Sequence, residues 1–259
     1  MVMCLVLFAW KVHPDYPVIL AANRDEFYER ASAPADFWKE APELLAGRDL
    51  KEGGSWLGIT RSGRMAALTN YRDPASLKEE APSRGDLVAG YLLGKEKAET
   101  YLNRIAAGTF RYNGFSLLVG DLSDFFYFSN RAGQMPLDPG IHGLSNSLLD
   151  VSWPKVVRGK KRLQDLLNQK VRPTTEAVFK ILSDRTVPPD DQLPDTGVGL
   201  EWERVLSPLF IQSPVYGTRS STVLLVDRRG RAIFSERVFD ERGVPWMTTR
   251  FSFRIENGV

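Results

Sequence analysis

The chain opens on an apolar run, Met1-Val2-Met3-Cys4-Leu5-Val6-Leu7-Phe8-Ala9-Trp10, that stops at Lys11. A short continuous apolar run is consistent with a strand buried on both faces, entered here at Cys4. The turn His13-Pro14-Asp15-Tyr16-Pro17 follows, and 18–22 reads as a second strand, so the two form a hairpin. Asn23-Arg24-Asp25-Glu26 sits where that strand ends. Residues 29–54 are rich in Pro, Ala, Gly and charge without a clear period, which predicts a long surface-crossing segment. Two apolar runs, 55–60 and 65–70, flank Arg61-Ser62-Gly63-Arg64 and predict another hairpin. A loop covers 73–83. Ser83, three residues before Asp86, reads as a capping-box variant opening a helix that carries Leu87, Val88, Tyr91 and Leu92 on one face. A second helix runs over 95–107, with Tyr101, Leu102 and Ile105 aligned.

Strands return at 115–119, 125–129 and 137–144, helices at 156–168 and 175–183. The Pro- and Asp-rich stretch 187–208 reads as loop, and the chain ends in strands at 222–226, 232–238 and 247–253. Tight turns join the strand pairs, so the sheets are mainly antiparallel. Two such sheets packed together with helix pairs outside is an economical burial scheme. No repeat, low-complexity tract or linker interrupts the pattern, and one domain over 1–259 is expected.

Composition adds exclusions. At 259 residues, with 43% hydrophobic and 25% charged positions, the chain can build a sizeable core. A net charge of +2 gives no reason to expect a nucleic-acid partner, and Arg158, Lys160, Lys161 and Arg162 read as the solvated face of a helix. One cysteine allows no internal disulfide, and Cys4, His13 and His142 are too few for a metal cluster, so no metal or cofactor is expected. The apolar opening falls far short of the roughly 20 residues a spanning helix needs. Its charge follows the run instead of preceding it, unlike a signal peptide. No integral membrane segment is expected, and the expected location is the cytoplasm.

The candidate chemistry starts at Cys4. A lone cysteine is commonly a small buried hydrophobe. At an exposed chain start it has a second role: the α-amine takes the thiol proton without a histidine. His13 and His142 read as incidental, and Trp56, Trp153, Trp202 and Trp246 as core or pocket lining. In Asn23-Arg24-Asp25-Glu26, an Arg can hold a carboxylate or favour a thiolate, and an Asp can orient an amine; a solvated turn is the bland reading. Asn70, Asn146 and Arg219 also stand beside strand ends, where Asn amides either donate to an oxyanion or cap turns.

The chain resembles the NRDE family of transport and Golgi organisation protein homologues, named for the motif that is Asn23-Arg24-Asp25-Glu26 here. Also similar, in order, are Glu52-Gly53-Gly54-Ser55-Trp56-Leu57-Gly58-Ile59, Ala66-Ala67-Leu68-Thr69-Asn70-Tyr71, Tyr112-Asn113-Gly114-Phe115, Gly143-Leu144-Ser145-Asn146 and Tyr216-Gly217-Thr218-Arg219. More distantly, that family is similar to N-terminal-nucleophile (Ntn) hydrolases acting on penicillin V and conjugated bile salts. The resemblance implies an α+β, four-layer αββα sandwich and cleavage of a non-peptide carbon–nitrogen amide bond in a small molecule. It implies Cys4 as nucleophile and base, Asp25 orienting its amine, Asn70 and Asn146 as oxyanion or amine partners, and Arg219 stabilising charge near the thiolate. Asn23, Arg24 and Glu26 would support them; Arg24 departs from the hydrolase pattern, where the Arg comes earlier. Family members begin Met-Cys, whereas Met1-Val2-Met3 precedes Cys4 here, so the activity requires loss of residues 1–3: a start at Met3 restores the family pattern with no extra step, removal of a short propeptide is the other route, and without either the chain is not an Ntn hydrolase. The alternative is a non-catalytic haem- or lipid-binding protein on the same fold.

Overall fold

The computed structural model describes residues 3–169 and 171–256. Two sheets, every neighbouring strand pair antiparallel, lie face to face. The first is ordered β10 (Gly140–Leu144), β1 (Met3–Trp10), β2 (Val18–Phe27), β11 (Tyr216–Val226), β12 (Arg231–Phe239) and β13 (Pro245–Arg254). The second runs in chain order through β3 (Ser32–Trp38), β4 (Ala41–Asp49), β5 (Leu57–Thr60), β6 (Met65–Asn70), β7 (Phe115–Gly120), β8 (Phe125–Ser129) and β9 (Gly133–Pro136). Helices α1 (Gly85–Leu93) and α2 (Ala98–Ala106) cover the second sheet; α3 (Pro154–Leu167) and α4 (Thr175–Leu182) cover the first. The result is an α+β, four-layer αββα sandwich.

Strand β1 shows why its sequence does not alternate. Val6, Phe8 and Trp10 enter the core between the sheets, while Leu5, Leu7 and Ala9 pack under α3 and α4 with Val156, Leu163 and Phe179. Both faces are covered, so both must be apolar. A third cluster seats α1 and α2 through Leu87, Val88, Tyr91, Tyr101 and Leu102.

Four expectations need correction. The Asn23–Glu26 motif lies inside β2, which continues to Phe27 because β11 pairs with it throughout. Within 29–54, which read as structureless, β3 and β4 form a hairpin at the edge of the second sheet. Register breaks at Ala33/Asp36 and Phe37/Trp38 erase its alternation, and Pro34 is tolerated on an edge strand. The loop 187–208 contains α5 (Leu200–Leu206). Finally, Ser83 does not cap α1: the N-cap is Arg84, with no side-chain capping bond.

Candidate active site

Strands β1 and β2 bring the motif to Cys4 by register, Cys4 opposite Arg24 and Met3 opposite Asp25. Alternation then sends the four motif residues to two faces. Asn23 goes to the helix side, where Nδ2 donates to the carbonyls of Leu182 (2.9 Å) and Leu209 (2.7 Å), and Oδ1 accepts from Ser221 Oγ (2.6 Å). It is a tie between β2, β11 and the chain around α4, not a reactive group. Asp25 is wholly buried, and its Oδ1 accepts from Thr218 Oγ1 at 2.6 Å.

Arg24 and Glu26 face a cleft of about 210 Å³ that is also lined by Arg30, Asp49, Trp56, Asn70, Arg84 and Asn113. The Arg24 guanidinium lies over the Trp56 ring at 4.4 Å and within 4.0 Å of Glu26 and Asp49. Arg30 pairs with Asp49 at 2.8 Å. Two glycines let the wall close: a Cβ on Gly54 would sit 2.6 Å from the carbonyl carbon of Gly85, where α1 starts.

Cys4 is 5% exposed, and Arg24, Glu26 and Arg84, which act on its charge, all line this cleft. Its backbone nitrogen donates to Asn146 Oδ1 at 3.3 Å, and its carbonyl accepts from Ser145 Oγ at 3.2 Å. Asn146 Nδ2 in turn donates to the Asn70 carbonyl at 2.8 Å. The structure thus joins Cys4, Asn70 and Asn146, with Asn146 an acceptor at the nitrogen of Cys4 and Asn70 on the cleft wall. Burial, then the Asp25 carboxylate, pushes the Cys4 thiol up to about 12, against the pull of Arg24. With Met3 attached, that thiol is neutral at physiological pH.

Arg219 lies within the field of Arg24 and Glu26, but its hydrogen bonds go elsewhere. It stands at a bulge in β11, and its Nη1 donates to the carbonyls of Phe27, Tyr28 and Arg30 (3.1, 2.9 and 3.3 Å). Released from the ladder by the bulge, it holds the turn after β2. Arg24, Arg84 and the buried Lys155 are the cations whose charge is felt at Cys4. Burial lowers the Arg84 guanidinium to about 10 while Cys4 pulls it back. Arg84 Nη1 donates to the Gly114 carbonyl at 3.0 Å.

Sequence reasoning also missed Lys155 at the start of α3, and Arg72 paired with Glu203 of α5 at 2.5 Å. Nothing in Trp153-Pro154-Lys155-Val156 separates a buried lysine from the exposed ones that follow. Trp56 lines the cleft and Trp153 lies under Arg72, but Trp202 and Trp246 are exposed. His142 is engaged with Asp150 at 2.8 Å, distant in role from Cys4. Among the described residues no group of three or more His, Cys, Asp and Glu side chains is arranged to hold a metal, and no helix is long and apolar enough to cross a membrane.

Comparison with known proteins places this geometry. The chain is 37% identical to the Transport and Golgi organization protein 2 homolog of Bos taurus, an alignment covering 98% of this chain and 100% of that protein. To the Homo sapiens homolog it is 35% identical, over the same shares. Among solved structures it is similar to a mutant conjugated bile acid hydrolase from Clostridium perfringens, at a TM-score of 0.51 and 10% identity, covering 100% of this chain and 94% of that one. That likeness identifies the fold as Ntn-hydrolase-like. The family model described as Transport and Golgi organisation 2 matches residues 3–241, and the chain belongs to that family.

Proposed function

We propose that the protein is an amidohydrolase that cleaves a non-peptide carbon–nitrogen amide bond of a small molecule, with Cys4 as the N-terminal nucleophile once residues 1–3 are lost. The observation that carries this reading is the hydrogen bond from the Cys4 nitrogen to Asn146 Oδ1, beside a cleft walled by Arg24, Asn70 and Arg84. An acceptor fixed at that nitrogen holds a freed α-amine as readily as it holds an amide. An α-amine has a reference pKa of roughly 7.7–8.0 and is a base near neutrality.

In the proposed reaction the α-amine takes the Cys4 thiol proton and the sulfur attacks the carbonyl carbon of the substrate. The oxyanion is met by the Asn70 side chain and the charge of Arg84. Collapse breaks the carbon–nitrogen bond, and the α-ammonium returns its proton to the departing amine. Water, deprotonated by the α-amine, then attacks the thioester carbon, releasing the carboxylic acid and restoring the thiol. The charged lining, Arg24, Glu26, Arg30, Asp49 and Glu52 besides Arg84, suits a small polar amide better than an acyl chain or a haem.

N-terminal sequencing and intact mass of the native, untagged protein test this first. A mature chain beginning at Cys4, with amide turnover abolished in a folded Cys4→Ala variant, is the expected result. A mature chain that keeps Met3, or wild-type turnover in Cys4→Ala, overturns the proposal.

A further inference from the structure

Lys155 is 2% exposed, an unusual state for a lysine. Among the described residues its Nζ has no hydrogen-bond partner, and no carboxylate oxygen lies within 4.0 Å of it. Asp25 is 0% exposed, and its second oxygen, Oδ2, also lacks a hydrogen-bond partner. Each of the two is the strongest charge partner of the other. The neighbouring ions cannot relieve them. Glu203 accepts from Arg72 on one oxygen and from Thr196 on the other, and Arg72 lies against Trp153. A cavity of about 10 Å³ remains between Arg72, Trp153, Lys155 and Glu203, close to the space one water needs.

Such a pair is not explained by stability. Replacing a buried ion pair with apolar groups of like volume is often neutral or favourable. Charges kept apart and only partly satisfied beside a candidate nucleophile point instead to a functional constraint. The groups that bear on them come from every layer packed there: Cys4 of β1, Arg24 and Glu26 of β2, Arg72 after β6 and Glu203 of α5.

We propose that Lys155 is a positioning residue of the Cys4 site, a buried counter-charge that keeps the Asp25 carboxylate ionised beside Cys4. Burial alone drives the Asp25 carboxyl up toward its neutral form, and Lys155 is the largest influence pulling it back. An ionised carboxylate holds an ammonium at Cys4 far more strongly than a neutral carboxyl group does. The consequence for turnover rests on the amidohydrolase reading, whereas the charge state of Asp25 does not.

Infrared spectroscopy of the full chain, with the Asp25 signal isolated by subtracting Asp25→Asn, tests this without a substrate. At neutral pH the wild-type signal is expected to be a carboxylate. In Lys155→Met it becomes a carboxylic acid, with a carbonyl band that is absent from the Asp25→Asn/Lys155→Met double variant. Lys155→Arg restores the carboxylate, which a role in packing alone would not predict. Lys155→Gln, neutral but able to hydrogen-bond, replaces the methionine variant if that one does not fold. Persistence of the carboxylate in the neutral variants, or a carboxylic acid in the wild type, overturns the proposal. The expected spectra in a protein that hydrolyses no amide would remove the amidohydrolase reading and leave the role of Lys155 standing.

Discussion

Asn23, the first letter of the motif, is expected to matter for stability and not for chemistry. Its side chain is 1% exposed and makes three hydrogen bonds, to the carbonyls of Leu182 and Leu209 and from Ser221. Asn23→Ala removes all three and leaves two carbonyls and a hydroxyl buried. At roughly 1–1.5 kcal/mol for each lost bond, with a small further cost for the cavity, the loss comes to about 3–5 kcal/mol. For a chain of this length that corresponds to a fall in Tm of roughly 10 °C. Urea unfolding followed by circular dichroism measures it, with Ser221→Ala as an internal scale because it removes only one of the bonds, for about 1 kcal/mol. Asn23→Asp should be at least as costly as Asn23→Ala, since a carboxylate cannot donate to the two carbonyls. A loss below about 1 kcal/mol in Asn23→Ala would refute the reasoning, because it would mean that these groups are satisfied without the side chain.

Two further outcomes follow from buried or partly buried charge. Glu203→Gln leaves Arg72 without its counter-charge and should cost about 3–5 kcal/mol in urea unfolding; replacing both residues with apolar ones should recover most of that, and an equal loss in both would count against the pair. The His142–Asp150 contact, which Lys160 joins at 2.5 Å, should give stability a two-sided pH dependence. Hydrogen bonds from His142 and Lys160 hold Asp150 down to about 2 against its usual 3.8, so its contribution is present above pH 3.8 and lost as pH falls through 2. Asp150 holds His142 above 6.5, so that contribution is full below 6.5 and fades as pH rises through the higher folded value. Thermal melts across this range should show both slopes flattened in Asp150→Asn; unchanged slopes would exclude the contact as their source.

Much of the architecture was legible because apolar runs and tight turns encode it directly: the β1–β2 and β5–β6 hairpins, the paired helices and the closing strands all stand where the pattern places them. What escaped was set by tertiary context. The β3–β4 hairpin lost its period to two register breaks, and α5 is a seven-residue helix inside a Pro- and Asp-rich stretch. In the candidate site, the motif predicted proximity to Cys4 but not the division of labour along it, because strand alternation assigns faces only once the pairing is known. The carbonyl contacts of Arg219 escaped for a related reason: one extra residue in β11 changes where its side chain goes. Lys155 and Arg84 carry no local sign, since burial of a cation is decided by elements far away in sequence.

The strand order of the first sheet has a consequence for how the molecule comes into being. The β1–β2 hairpin sits between β10 and β11, and Asp25 and Thr218 stand 193 positions apart. β1 gains its second neighbour only when β10, Gly140–Leu144, has been made, and β2 waits for β11, which begins at Tyr216. Such long-range closure makes for slow folding and leaves a sticky edge uncovered in the meantime. It also means that Thr218, whose hydroxyl holds Asp25, is made long after the β1–β2 hairpin, so a truncated or stalled chain carries that hairpin without the strand that flanks β2.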